Sequence, residues 1–231
     1  MQIHGFNKIT LLDYPEHLAS TIFLGSCNMR CPFCHNSSLV LNPSSVPTIP
    51  IDEILLYLEK RKNILEGVCI TGGEPTLSPD LPYLIKKIRH LGLKIKLDTN
   101  GSRPDILKTL MEEGLLNYVA IDIKNSKEKY SLSAGVQNYS IENISESVTY
   151  LMNCQIPYEF RTTIIKEHHT AQDILSIGHW IEGAKAYYLQ PYKNSDDILS
   201  PGLHSHSKET LSYFITLLTP FVELAALRGI D

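Results

Sequence analysis

The chain has 231 residues, 43% hydrophobic and 20% charged, which is enough for one good core and short for two full domains. A formal net charge of −4 excludes the basic field that nucleic acid or an anionic membrane requires. The N-terminus lacks the basic start and apolar stretch of a signal peptide, and no apolar run approaches the ~20 residues that span a bilayer, so the expected location is the cytoplasm.

In chain order, residues 20–25 (STIFLG) read as a short buried strand that runs straight into a cysteine segment. A Pro/Ser-rich stretch over residues 42–50 leads to Asp52, the expected N-cap of a helix carrying Ile54, Leu55, Leu58 and Leu65. Residues 67–71 form the second predicted strand. A helix follows over 79–91 with Ser78 as its cap, then a strand over 93–98, a helix over 104–114 and a strand over 118–124. The pattern continues with a helix at 141–153, a strand at 158–164 and a helix at 171–181. A strand at 186–190, a long loop, a helix near 207–218 and a short strand at 222–227 complete it.

Strands alternating with helices of this length predict βαβ units and a parallel sheet, here a single domain over residues 1–231. Three consecutive strands carry polar side chains on one face: Lys94, Lys96 and Asp98; Asp122 and Lys124; Glu159, Arg161 and Thr163. A sheet covered on both faces would be apolar throughout, and a closed barrel would fill its interior with branched apolar residues. The expected fold is therefore α/β, a partial (open) β/α barrel of about six parallel strands with a wet concave face. Edge-exposed strands are the alternative.

Five cysteines are present: Cys27, Cys31, Cys34, Cys69 and Cys154. The first three have a C-x3-C-x2-C spacing directly after the first predicted strand. In a reducing compartment such a cluster reads as a metal site before a disulfide. Thiolates suit iron–sulfur clusters and zinc alike. A structural zinc wants four ligands, and His35 is the candidate fourth, but it is adjacent to Cys34 and the two rarely reach one tetrahedral ion. Three thiolates on a cube of four irons leave one iron open. The two remaining cysteines are too few for a second cluster with four thiolates; Cys69 and Cys154 read as core residues.

With these residues in place the sequence resembles the radical S-adenosylmethionine (radical SAM) superfamily. Thr71-Gly72-Gly73-Glu74-Pro75 at the end of the second strand is similar to the family's glycine-rich element. The resemblance implies that Gly72 and Gly73 let the backbone approach a ligand and that Glu74 accepts from its ammonium group. Asp98-Thr99-Asn100-Gly101 and Asp122-Ile123-Lys124 end parallel strands, where β/α folds place ligands. They are similar to elements of glycyl-radical-enzyme activases. By that resemblance Asp98, Thr99, Asp122 and Lys124 contact S-adenosylmethionine, the aspartates help hold a monovalent cation, and the adenine rests on the segment of Phe33 and His35. Arg161 is a further candidate for this pocket, or else an ion-pair partner of Glu159, Asp98 or Asp122.

The resemblance implies one [4Fe–4S] cluster on Cys27, Cys31 and Cys34, reduced by a flavodoxin or ferredoxin. Reductive cleavage of S-adenosylmethionine then yields a 5′-deoxyadenosyl radical that removes a hydrogen atom from a glycine of a partner enzyme. No side chain is needed as a catalytic acid or base. Pyruvate formate-lyase activases carry a histidine after the Pro-Tyr of the last strand, and here that residue is Lys193. The opening Leu11-Leu12-Asp13-Tyr14-Pro15 and Thr21-Ile22-Phe23-Leu24 are closer to activating proteins of anaerobic ribonucleoside-triphosphate reductase. The alternatives are a pyruvate formate-lyase-type activase, a small-molecule enzyme such as 7-carboxy-7-deazaguanine synthase, and a non-enzymatic zinc adaptor.

Overall fold

The computed structural model describes residues 1–137, 139–195 and 197–229. Its contacts divide the chain into two compact units: Met1–Asn28 with Ser38–Ala120, and Met29–Ser37 with Ile121–Asp231. None of its helices is long and apolar enough to cross a membrane among the described residues.

The first unit opens with β1 (Ile3–Thr10), antiparallel to β2 (Ala19–Leu24). No strand is predicted there, because β1 is a half-exposed edge interrupted by two register shifts and has little apolar alternation to read. A short helix α1 (Ser37–Leu41) precedes α2 (Ile51–Arg61), and β3 (Gly67–Gly72), α3 (Leu81–His90), β4 (Lys94–Thr99) and α4 (Pro104–Glu112) follow. β2, β3 and β4 are parallel, with Ala19 beside Gly67 and Gly67 beside Lys94. This register brings the C-terminal ends of the strands, and the motifs that follow them, to one edge.

Two predicted caps differ. α2 begins at Ile51 after Pro50, one residue before Asp52. α3 begins at Leu81 with Asp80 at its N-cap and no side-chain cap bond. The Asp80 carboxylate pairs instead with the N-terminal ammonium at 3.0 Å. The interior of α3 follows its pattern: Leu81, Leu84, Ile85 and Ile88, at helical spacing, are fully buried. Each such side chain contributes about 1.5–3 kcal/mol of burial.

β5 (Tyr118–Asp122) carries the chain into the second unit after Ala120. There follow α5 (Tyr130–Ala134), α6 (Glu142–Met152), β6 (Tyr158–Ile164), α7 (Ala171–Trp180), β7 (Tyr187–Pro191), α8 (Lys208–Leu218) and β8 (Ala225–Leu227). β6, β7 and β8 are parallel. α7 starts where expected because Thr170 and Asp173 form a reciprocal capping box, and Ser207 caps α8 through the Thr210 N–H. α5 was not predicted. It is five residues long, ended by Gly135 at φ 66°, and too short for its own periodicity to show.

The polar strand faces are present but drier than expected. Lys96 and Glu159 are essentially inaccessible, and Lys96 is paired with Asp98. Glu159 accepts both arms of the Arg228 guanidinium at 2.6 and 2.8 Å. Edge exposure is therefore not the reason for these charges. Lys96 and Glu159 are buried and paired, as interior charges must be.

Candidate functional site

In the first unit, the chain leaves β2 toward Cys27 over the end of β3. Gly73 donates its N–H to the Leu24 carbonyl at 2.8 Å, and Glu74 donates to the Ser26 carbonyl at 2.7 Å. A Cβ on Gly72, which has φ 115°, would stand 2.3 Å from the Leu24 oxygen, and one on Gly73 would stand 2.0 Å from the Ser26 oxygen. What the glycines make room for here is the protein's own backbone just ahead of the first cysteine. Ser26 itself takes the left-handed conformation, φ 72°, an uncommon state for a residue with a side chain.

Glu74 is 1% exposed, and its oxygens are engaged. Oε1 accepts from the Thr76 N–H (3.1 Å), the Thr76 hydroxyl (2.5 Å) and the Thr99 hydroxyl (2.7 Å), and Oε2 accepts from the Asn100 N–H (2.6 Å). Burial pushes its pKa up, and these hydrogen bonds pull against that. The carboxylate also ties the ends of β3 and β4 together, since a buried carboxylate takes the donors nearest to it. Thr99 is buried in the same network, accepting from the Gly101 N–H at 3.1 Å. Asp98 pairs with Lys96, whose Nζ also lies 3.9 Å from the Cys69 sulfur. Cys69 is buried, as its strand position implies.

In the second unit, the cysteine segment is held along its length. The Cys34 N–H donates to the Cys31 carbonyl at 3.0 Å, the Arg30 N–H to the Ala134 carbonyl at 2.8 Å, and the Ser200 N–H to the Pro32 carbonyl at 2.9 Å. Gly135 fits against this segment only because it has no Cβ, which would sit 1.9 Å from the Arg30 oxygen. The Ser37 hydroxyl donates to Asp197 at 2.6 Å. His35 Nε2 is hydrogen-bonded to the Lys193 carbonyl at 2.7 Å, and its ring lies 5.9 Å from that of Tyr192. Lys193 thus meets the segment through its backbone. Phe33 is buried, edge-on to His168 and His169 at 6.5 Å.

Asp122 lies between two cations. Its Oδ1 accepts from Arg161 at 2.9 Å and its Oδ2 from Lys124 at 3.3 Å. Of the partners expected for Arg161, Asp122 holds it directly and Glu159 at 3.8 Å. His169 was not singled out by the sequence, where it is one of nine histidines without a motif. It is fully buried; its Nδ1 accepts from the Ile165 N–H at 3.1 Å, and its Nε2 donates to the Lys124 carbonyl at 2.9 Å. That pins the residue that ends the Asp-x-Lys element.

These two groups set an acid-stability profile. Burial pulls His169 down to about 4, whereas an unfolded histidine titrates near about 6.5. Its contribution is therefore complete above about pH 6.5 and declines as pH falls toward 4. Burial would raise Asp122, but Arg161 and Lys124 outweigh it and hold the group at about 2. Its contribution is complete above the ordinary aspartate range and is lost as pH falls toward 2. Thermal scans should show a flat Tm above about pH 6.5 and a decline in two stages below it. His169→Gln should remove the upper stage; if that stage survives, it belongs to another group.

The donor set fits an iron–sulfur cluster. Cys27, Cys31 and Cys34 carry thiols that are not engaged in a disulfide. Burial pushes the Cys34 thiol up, while the Asn36 N–H and the Lys124 charge pull it back toward the thiolate, the form that ligates. Among the described residues no three Cys, His, Asp or Glu side chains gather about a single metal ion. A cluster differs from a single ion in spreading its thiolates over several irons.

The comparisons with known proteins agree. A provisionally named glycyl-radical enzyme activating enzyme of Methanocaldococcus jannaschii is 29% identical over 198 residues, 84% of this chain and 81% of that protein. The pyruvate formate-lyase-activating enzyme of Staphylococcus aureus is 25% identical over 82% of this chain and 80% of its own length. A 7-carboxy-7-deazaguanine synthase of Methanopyrus kandleri is 32% identical, but over only 42% of this chain and 46% of that protein. Among solved structures, Streptococcus suis SuiB bound to S-adenosylmethionine superposes with a TM-score of 0.68 at 15% identity, covering 91% of this chain and 52% of SuiB. That likeness shows the fold, the α/β partial barrel expected from the sequence. The radical SAM superfamily profile matches residues 21–181, from β2 through the end of α7. The chain therefore belongs to the radical SAM superfamily and is an enzyme of the kind that works with a [4Fe–4S] cluster and S-adenosylmethionine.

Proposed function

We propose that this enzyme is an activase that generates a glycyl radical on a partner, and that the partner is anaerobic ribonucleoside-triphosphate reductase. The observation that carries the first part is the extent of likeness: two activase relatives align over four-fifths or more of this chain and of their own length and a third over 68% of this chain and 54% of its own, while the deazaguanine synthase aligns over less than half of either. The second part rests on residues 11–15 and 21–24 and on Lys193 in place of the histidine of pyruvate formate-lyase activases.

In this reading Cys27, Cys31 and Cys34 each hold one iron. The cluster and S-adenosylmethionine together supply a reductive carbon–sulfur cleavage, fed by a flavodoxin or ferredoxin. The chain's own residues bind and orient. Phe33 and His35 form the adenine side, and Asp98, Thr99, Asp122 and Lys124 hold the methionine and ribose. Asp122, kept ionised by Arg161 and Lys124, stays an acceptor throughout the neutral range. Gly72 and Gly73 let the backbone approach the cofactor and Glu74 accepts from its ammonium group, while the same three residues fix the backbone that leads to Cys27.

The test is anaerobic reconstitution with iron and sulfide, followed by reductant, S-adenosylmethionine and a purified anaerobic ribonucleotide reductase. The expected result is a glycyl-radical EPR doublet on the reductase. Formation of 5′-deoxyadenosine with no doublet on this reductase, but a doublet on pyruvate formate-lyase, would replace the partner. Cleavage with no doublet on either would end the activase reading.

A further inference from the structure

The sulfur of Cys27 has a specific neighbour in its own unit. The Asn100 side-chain Nδ2 lies 3.9 Å from Cys27 Sγ and donates to Asn28 Oδ1 at 2.8 Å. Asn100 is 6% exposed, so its amide is buried and its partners are protein atoms. The orientation of that amide is determined by chemistry. Its Oδ1 accepts from the Ser102 backbone N–H at 2.9 Å, and a backbone N–H only donates, so the NH2 end must face Asn28 and Cys27. Asn28 continues the chain, donating from its own Nδ2 to the Ser102 hydroxyl at 2.9 Å. Below, the Asn100 N–H is anchored on Glu74 at 2.6 Å, and Glu74 also holds the Ser26 carbonyl through its own N–H at 2.7 Å. The residues on both sides of Cys27 are thus fastened to one buried frame, with the amide of Asn100 directed at the thiol.

We propose that Asn100 is a positioning residue for the cluster: it fixes the orientation of the Cys27 thiolate and, through an N–H···S hydrogen bond, raises the reduction potential of the cluster held there. This rests on the reading that Cys27 is a cluster ligand. Hydrogen bonds to the sulfurs are among the terms that set the potential of an iron–sulfur cluster. A donor at sulfur draws off charge and so favours the reduced, more negative state. The contact is long, so the effect is bounded. Its loss is expected to shift the one-electron equilibrium by about tenfold or less, which is about 59 mV at most.

The experiment compares wild type, Asn100→Ala, Asn100→Asp and Asn28→Ala, each reconstituted anaerobically. Iron content, the EPR-monitored midpoint potential and the iron–sulfur stretching bands in resonance Raman are measured for each. Asn100→Ala is expected to hold its iron with a more negative midpoint and shifted stretching bands. Asn28→Ala, which leaves the Nδ2–Sγ contact in place, should move both less. Asn100→Asp retains an acceptor for the Ser102 N–H but has no donor for sulfur, and answers the same question if the alanine variant does not fold. An Asn100 variant that binds iron normally with the wild-type potential and bands overturns the proposal. Loss of iron from both Asn100 variants overturns it too, since the residue would then be purely structural. Failure of the wild type to take up four irons is a separate result, and it removes the ligand reading beneath the proposal.

Discussion

Cys31→Ala is expected to abolish cleavage of S-adenosylmethionine, with 5′-deoxyadenosine falling by at least about 100-fold, more than the 10- to 100-fold typical of losing an outer partner of a metal ligand. Three thiolates on a four-iron cube leave one iron open for a ligand, so each of the three is needed. No remaining cysteine can replace the middle one. Cys69 is buried in β3 beside Lys96, and Cys154 follows α6 with its sulfur directed at the Ile156 carbonyl at 3.5 Å. The loss should be specific to the site. Cys31 is 7% exposed, and the change to alanine leaves the Arg30–Ala134 and Cys34–Cys31 backbone hydrogen bonds in place. A variant that folds and melts like the parent, with little iron and no product, is the expected outcome. Undiminished product from the variant would mean that the three cysteines do not hold the cluster.

Arg228→Ala is expected to destabilise the fold strongly, although Arg228 lies outside every motif of the family. Glu159 is fully buried, and its oxygens take both arms of the Arg228 guanidinium. The same guanidinium lies 3.6 Å from the centre of the Tyr188 ring. Removing one partner of a buried pair leaves a charge with neither water nor a counter-ion and costs about 3–5 kcal/mol. The Arg228 side chain is 28% exposed, and Arg161 remains 3.8 Å from Glu159, so the lower figure applies. A loss of about 3 kcal/mol lowers Tm by roughly 6–12 °C for a chain of this size. Arg228→Lys should recover part of this, because it keeps the charge but lacks the fork. Removing both partners, as Arg228→Ala with Glu159→Leu, should cost less than Arg228→Ala alone, since no buried carboxylate is then left unpaired. Denaturant and thermal unfolding of the set decide the matter. A Tm within about 2 °C of the parent for Arg228→Ala, a loss below about 1 kcal/mol, would show that water or Arg161 satisfies Glu159.

Several elements were legible because a local rule specified them. The start of α7, predicted at 171, coincides with a local Thr170–Asp173 capping box, and α3, predicted over 79–91, has an apolar stripe at helical spacing that it buries. β6 has the predicted bounds, 158–164, because Glu159, Arg161 and Thr163 alternate with Phe160 and Ile164, broken only by Thr162. What could not be read locally was whatever depends on a distant partner. That the Asp80 carboxylate pairs with the N-terminal ammonium, and makes no cap bond to α3, depends on a residue 79 positions away. Asn100 sits in an Asn-Gly pair that reads as a turn, and nothing nearby in sequence indicates that its amide faces a cysteine 73 positions earlier.

The sequence by itself determined the chemistry of this protein. A C-x3-C-x2-C segment directly after a strand offers three thiolates from one stretch of chain, and strand–helix alternation sets the order in which later motifs reach strand ends. Such information is local because it lies in spacing, in the type of ligand atom and in period. Only the tertiary structure decided how each polar residue is used. Glu74, Asp98 and Thr99 look equivalent in the sequence, and the packed structure gives each a different protein partner as well: Glu74 closes a buried network, Asp98 neutralises Lys96 and Thr99 bridges two loops. The physical reason is that a buried polar group must find a partner, and which partner is within reach is a property of the packed strand ends.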